Sequence, residues 1–210
     1  VKLLLHPVYC PNIITFASLV QHEVLWEVED NYQKQTYRNR CYICTDQGRQ
    51  MLNIPIKHVG GRHGRQKYRD VRLENTYPWQ RQHWRSLQTA YRTSPFFEFY
   101  EDELAPLYHR EFTFLLDFNL HTIDVLCDCL QVAMPGEKTR VYEEGAGGAF
   151  DGRFLVNAKG APLPFSLQYQ QVFGDRHGFI PNLSVLDLLF NLGTTALPAL
   201  QELELPFGHG

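Results

Sequence analysis

The sequence predicts an α/β fold: an N-terminal Rossmann-like strand–helix–strand unit and a β-hairpin, followed by a mainly helical half. Three observations carry this prediction. Lys2-Leu-Leu-Leu-His6 is a short apolar run closed by Pro7, the pattern of a buried strand. Val24 to Glu29 alternates apolar and acidic residues, the pattern of a second strand. From Trp79 onward the apolar residues recur at helical spacing, through Trp79, His83, Leu87, Ala90 and Tyr91.

Between the first two strands, Pro7 to Pro11 reads as a turn, and Pro11 suits the first turn of a helix. Ile13, Ile14, Phe16, Ala17 and Val20 then form a helical stripe. A strand, a short helix and a strand this close together predict a compact right-handed parallel crossover. Arg40–Thr45 and Met51–Lys57 read as a hairpin turning near Asp46-Gln47-Gly48. The glycine-rich basic stretch from His58 to Lys67 reads as a loop able to fold over an anion, with a plain hairpin tip as the alternative. Asp70 to Glu74 is expected to return as a strand.

Pro95 should end the helix that begins at Trp79, and Phe96, Phe97, Phe99 and Tyr100 read as an aromatic core cluster. Glu111 to Val132 predicts the longest helix. Asn182 or Ser184 can cap a last helix carrying Val185, Leu188, Leu189 and Leu192, ended by Gly193. The domain prediction is a core over residues 1–134, a flexible insertion over 135–163, and a segment over 164–210 that completes the same domain.

The chain has 210 residues and 44% apolar residues, enough to bury a core. No apolar run approaches the roughly 20 residues of a membrane span. The start lacks a signal-peptide pattern, so a cytoplasmic location is expected. The net charge of −3 hides an asymmetry. Half of the 20 Lys and Arg lie in residues 34–72, where only Asp46 and Asp70 oppose them. That stretch can attract an anionic partner. Nucleic acid is a weaker fit, because polymer binders are usually basic overall.

Five cysteines do not suit a secreted disulfide framework. Cys41 and Cys44 are spaced as a metal half-site, but on a strand they face opposite ways. Cys127 and Cys129 diverge on a helix. No metal is predicted. The glycines of residues 145–152 lack the strand-to-helix setting of a phosphate loop, and the sequence leaves any cofactor unknown.

The most informative stretch is Asn31 to Arg40. It sets Lys34, Arg38 and Arg40 among amides and phenols with no acid between them, a mixture suited to phosphate or carboxylate. The alternative is a solvated turn neutralised by the neighbouring Glu27, Glu29 and Asp30. In an open α/β sheet a ligand lies beyond the carboxyl ends of the strands. The turn after the first strand brings His6, Tyr9 and Asn12 there, at a helix N-terminus that favours anions. The turn after the second leads into Lys34 to Arg40, so the two are expected to share one pocket. The predicted substrate-binding residues are Tyr9, Asn12, Lys34, Tyr37, Arg38, Asn39, Arg40, Trp79 and Tyr91. His6 and His83 are the candidate acid–base groups, since imidazole titrates near neutrality. Each has an alternative, a strand-end histidine for His6 and a packed helix histidine for His83. Asp187 joins them as a catalytic candidate, beside the ordinary role of an acid in a helix's first turn.

Several of these blocks, in this order, resemble the WbqC-like family. They are His6-Pro7-Val8-Tyr9-Cys10-Pro11, Lys34-Gln-Thr-Tyr37-Arg-Asn39-Arg40, Leu52-Asn-Ile-Pro55-Ile, Trp79 with His83, Ala90-Tyr91 to Phe97, and Tyr169-Gln170 with Phe179 to Asp187. The likeness spans nearly the whole chain except residues 135–163. His6 stands where the family more usually has Gln. The resemblance implies a role in O-antigen-type surface-polysaccharide synthesis in bacteria. It also implies a transferase, with aminoacyl (glycyl) or acyl transfer to a nucleotide-linked sugar as the reaction. It supplies no catalytic residues. Two other readings stay open: a non-catalytic protein that binds a sugar nucleotide or polysaccharide intermediate, and a nucleic-acid binder acting through residues 57–72.

Overall fold

The fold is that of a computed structural model, which describes residues 2–58 and 65–207. The six-residue centre of the basic loop, 59–64, lies outside the described residues, and with it the expectation of a loop folding over an anion.

The mixed α/β architecture follows the predicted order. Strand β1 (Leu3–Leu5) lies between two parallel neighbours, β2 (Val24–Trp26) and β5 (Phe150–Asp151). Leu3 pairs with Val24 on one side and with Phe150 on the other. A strand covered on both faces needs an unbroken apolar run rather than alternation, and the three leucines of β1 are all buried. Helix α1 (Ile13–Gln21) joins β1 to β2. Its N-cap is Asn12, whose side chain accepts from the Thr15 amide at 2.9 Å. Pro11 therefore precedes the cap instead of standing in the first turn, and its carbonyl accepts from the Val185 amide. Helix α1 is buried along most of its length because the C-terminal helices α6 (Val185–Leu192) and α7 (Ala196–Glu202) cover it.

The hairpin comprises β3 (Arg40–Thr45) and β4 (Gly48–Asn53), which pair antiparallel with Thr45 opposite Gly48. Its second strand starts and stops earlier than the sequence suggested. Cys41, Ile43 and Leu52 lie on the core side. The expected strand at 70–74 is not there. Tyr68–Asp70 is a single 3-10 turn, pinned by the Tyr68 hydroxyl donating to the Pro7 carbonyl at 2.7 Å. Arg72 and Leu73 then form isolated bridges to Phe114 and Ile56. No single partner runs alongside long enough to make a ladder.

Helices α2 (Trp79–Tyr91), α3 (Phe97–His109) and α4 (Leu115–Leu130) form the helical half. The aromatic run around residue 97 is the start of α3, with Phe97 and Tyr100 buried and Phe99 exposed. Helix α4 begins later than the pattern implied. Phe114 bridges Arg72, and the Leu115 amide donates to the Val71 carbonyl, which commits that backbone to an extended segment. Helix α5 (Gly174–His177) is one turn. Ser184 caps α6, and Gly193 ends it at φ +56°, a conformation that favours glycine.

The stretch read as an insertion supplies β5 and the 3-10 turn Arg153–Val156 that follows it. A Cβ at Gly152 would sit 2.8 Å from Leu3 Cδ1 and from Leu5 Cδ2, so this close approach needs glycine. Among the described residues no helix is long and apolar enough to cross a membrane.

Candidate functional site

Each strand of the parallel sheet ends in a polar group. His6 follows β1, Glu27 follows β2, and Asp151 ends β5. This is the edge at which open α/β sheets hold ligands. Asp30, a few residues beyond β2, reaches back so that Oδ2 lies 2.8 Å from His6 Nε2. Arg38 enters from the next turn, with Nη2 3.0 Å from His6 Nε2 and 3.2 Å from Asp30 Oδ2. The expected convergence of the two turns therefore occurs for His6 and Arg38, and it occurs around a carboxylate.

The chemistry of this triplet follows from what each atom can do. A carboxylate only accepts and a guanidinium only donates. Both nitrogens are thus satisfied when they donate to Asp30 Oδ2, which assigns the proton of His6 to Nε2. Nδ1 is then the basic nitrogen, and it is buried with no hydrogen-bond partner. Burial pulls the His6 pKa down, and the hydrogen bond to Asp30 only partly restores it. Burial also pushes the Asp30 carboxyl up, but the hydrogen bond from His6, with smaller contributions from the His6 charge, the Asn31 amide and the Arg38 charge, outweighs it, so the net shift is downward. The resting cluster is a neutral imidazole beside an ionised Asp30–Arg38 pair. Arg38 is shut off from solvent, stacked 5.5 Å from the Tyr68 ring centroid, with its own carbonyl held by Asn119 at 2.6 Å.

A second ion network borders the triplet. Arg153 chelates Asp151, at 2.9 Å from Nε and 2.8 Å from Nη2, and lies 3.9 Å from the buried Glu27. Glu29 is paired with Lys67 and Arg69. Three of the ten cations of residues 34–72, Arg38, Lys67 and Arg69, are thus paired with Glu29 and Asp30; the solvated-turn alternative anticipated such pairing for Arg38, but the arginine is buried instead of solvated. Lys34, Arg40 and Arg49 form no ion pair among the described residues.

The remaining predicted residues fall into three places. Tyr9, Trp79 and His83 form a buried cluster. His83 Nδ1 accepts from the Tyr9 hydroxyl at 2.9 Å, Nε2 donates to the Asn53 carbonyl at 3.1 Å, and Trp79 lies edge-on at 5.2 Å. Burial pushes the His83 pKa down to about 4. Tyr91 and Asp187 meet elsewhere. Asp187 is fully buried and accepts from Tyr91 at 2.8 Å, Tyr169 at 2.5 Å and Gln171 at 3.0 Å. Burial raises its pKa, and the three donors hold part of that rise back. Neither cluster has a contact to His6 among these bonds. Asn39 is tied to the hairpin through the Ile54 carbonyl at 3.0 Å.

Tyr37 and Asn12 stand together in a third place. They line a cleft of about 400 Å³ with Arg49, Asn182 and residues 154–163. The N-terminus of α1 is not an open anion cradle here. The amides of Ile13, Ile14 and Thr15 already donate to the Leu183 carbonyl, Asn182 and Asn12.

Asp151 and Arg153 are the partners that residue-by-residue reading missed, while Glu27 and Asp30 entered it only as an acidic patch neutralising the turn. The alternation ending in Glu27 and Glu29 was a usable signal for acids past the end of β2. Nothing in the glycine-rich surroundings of Asp151 and Arg153 announces a strand end. No three His, Cys, Asp or Glu side chains are grouped to hold a metal ion among the described residues.

Comparison with known proteins gives a consistent relationship. The model of the WbqC-like protein family matches residues 6–150. Uncharacterized protein Rv1507c of Mycobacterium tuberculosis (strain ATCC 25618 / H37Rv) is 29% identical over 197 residues, covering 79% of this chain and 81% of that protein. No solved structure matches.

Proposed function

This chain belongs to the WbqC-like protein family, and on that premise we propose that it is a transferase of bacterial surface-polysaccharide synthesis. The proposed reaction passes an acyl or aminoacyl group to the amine of a nucleotide-linked sugar. The observation that supports it most is His6, a neutral buried imidazole at the carboxyl edge of the sheet, oriented by Asp30 and with Nδ1 unpartnered. The family more usually has Gln here, which takes no proton near neutrality, so this base is proposed for this chain and not for the family. An oriented base of this kind is what amine acylation needs. The amine nitrogen attacks the acyl carbonyl and forms the amide, the leaving group departs with its electron pair, and His6 Nδ1 takes the amine proton. Asp30 stabilises the imidazolium that results, as a carboxylate behind a histidine does. Lys34 is an exposed cation on the adjoining turn and is the residue best placed in sequence to meet an anionic substrate. Arg38 is committed to Asp30, so its part is to hold the carboxylate and not to grip a phosphate.

The test is incubation with a UDP-linked amino sugar and a panel of acyl and aminoacyl donors, with products read by mass spectrometry. A mass gain on the sugar nucleotide that disappears in His6→Ala is the expected result. No gain with any donor, in a protein that still binds the sugar nucleotide, selects the second reading, a non-catalytic binding protein. That reading draws on the two occupied nitrogens of His83, which leave it no lone pair to act as a base. Nucleic acid remains the weaker partner, because Lys67, Arg69 and Arg38 are already paired with acids.

A further inference from the structure

The cleft beside Tyr37 has the make-up of a ligand site and is separate from the His6 cluster. Its volume of about 400 Å³ lies in the range of small-molecule pockets. Arg49 and Lys159 supply two positive charges, and no Asp or Glu lines it. Neither cation has an ion-pair partner among the described residues. Arg49 is positioned rather than free, with its guanidinium 3.6 Å over the Tyr42 ring. A guanidinium stacked by its face keeps its N–H donors in plane for an anion. Tyr42 in turn meets the Tyr37 ring edge-on at 6.1 Å, so Arg49, Tyr42 and Tyr37 form one supported row along the hairpin. Tyr37 and Phe154 offer aromatic surface, and Asn12, Asn157 and Asn182 offer side-chain amides.

We infer that this cleft binds a phosphate-bearing ligand of the nucleoside-diphosphate class, with Arg49 and Lys159 on the phosphates. It rests on the proposed function for the ligand class, while the location rests on the cleft alone. Two cations without a competing carboxylate match a diphosphate. Aromatic surface and amides match a planar base and a ribose. The α1 N-terminus has no free amide among its first three, so the charge must come from these two side chains. Chain geometry joins the cleft to the chemistry. Tyr37 lines the cleft while its neighbour Arg38 lies against His6 and Asp30, and the Tyr37 amide and carbonyl are fixed by the Val156 carbonyl and the Tyr9 amide.

Titration calorimetry with UDP, UDP-glucose and inorganic pyrophosphate tests this on the whole chain. Arg49→Ala and Lys159→Ala are each expected to weaken UDP and UDP-glucose by about tenfold or more. Both side chains reach solvent, so the variants should keep the fold, which circular dichroism and thermal melting verify. Unchanged Kd in both cleft variants overturns the cleft assignment, and so does absence of binding by all three probes. Binding lost in Lys34→Ala but kept in the cleft variants moves the ligand to the His6 turn and leaves the transferase reading standing. Binding lost in the cleft variants, with full turnover in His6→Ala, keeps the cleft and removes the His6 mechanism.

Discussion

Arg38 Nη2 lies 3.2 Å from Asp30 Oδ2, with 1% of the arginine side chain and 13% of the aspartate side chain exposed. A pair this deep is held by mutual need, since either charge alone would be stranded in a poor solvent. Asp30→Asn should therefore destabilise the fold by about 3 kcal/mol or more, because it leaves the guanidinium buried without a counter-ion. Asp30→Asn with Arg38→Met should be less destabilised than Asp30→Asn alone. Urea denaturation of the two single variants and the double variant measures the coupling. Additive losses would show that the two side chains do not depend on each other.

Asp187 illustrates a different kind of burial. It faces no cation, only the hydroxyls of Tyr91 and Tyr169 and the amide of Gln171. Asp187→Leu leaves the hydroxyls of Tyr91 and Tyr169 without their acceptor in the core, at a cost of roughly 1–3 kcal/mol for each group left unsatisfied, while Gln171 keeps the Ile180 carbonyl. Asp187→Asn keeps one acceptor oxygen and should lose much less. Melting temperatures in that order, with turnover per folded molecule unchanged in Asp187→Asn, would assign the residue to the core. A folded Asp187→Asn without turnover would restore it as a catalytic group.

These clusters also show how far the residues alone could be read. The β1–α1–β2 unit was legible because a strand buried on both faces leaves a plain apolar run, and Asn12 and the stripe from Ile13 mark a helix start. The hairpin was legible from the apolar residues of β3, the turn at Asp46-Gln47-Gly48 and Leu52 beyond it, but β4 itself is mostly polar, which is why its bounds were misplaced. Strand β5 was not, because two residues behind a glycine-rich run carry no period, and its only demand, a bare Cα at Gly152, depends on Leu3 and Leu5. Helix α3 was hidden because Pro95 suggests an end and the adjoining Phe and Tyr residues suggest a core cluster. Of the candidate site, the crossover argument brought His6 and Arg38 to one place, where they meet a carboxylate and not the expected anionic ligand. Asp30 between them was assigned to a solvated patch, since sequence does not say which acid of a patch folds inward.

The pH dependence of stability should carry the signature of His83. Its folded pKa of about 4 lies below the unfolded value near 6.5, so the unfolded chain binds the proton first. The contribution of His83 is complete above pH 6.5, declines as pH falls, and levels off near pH 4. The loss is on the order of 3 kcal/mol over that window. Asp187 acts in the opposite sense, because its raised pKa favours the folded state once the carboxyl is protonated. The comparison that isolates His83 is therefore wild type against His83→Gln. The variant should be less stable at pH 7.5 and should lose less stability on acidification. Parallel curves for the two proteins would mean that His83 does not titrate in this way.

The sharpest test of chemistry at the sheet edge is the choice between His6→Gln and His6→Ala. Glutamine can still donate to Asp30, so the ion pair with Arg38 keeps its geometry, but it has no nitrogen that takes a proton near neutrality. If His6 Nδ1 is the base, His6→Gln should lower kcat by about 10²–10⁴-fold with little change in KM. If the imidazole only braces Asp30, His6→Gln should restore most of the activity that His6→Ala loses. The pH profile separates the two outcomes further. A base must be neutral to act, so kcat/KM in the wild type should fall as acid protonates His6, and burial sets that fall below the ordinary imidazole range. In His6→Gln this acid limb should vanish. Its persistence in the variant would hand the role of base to another group, and the adjoining Asp151, whose pKa the Arg153 hydrogen bond depresses, would be the first to examine.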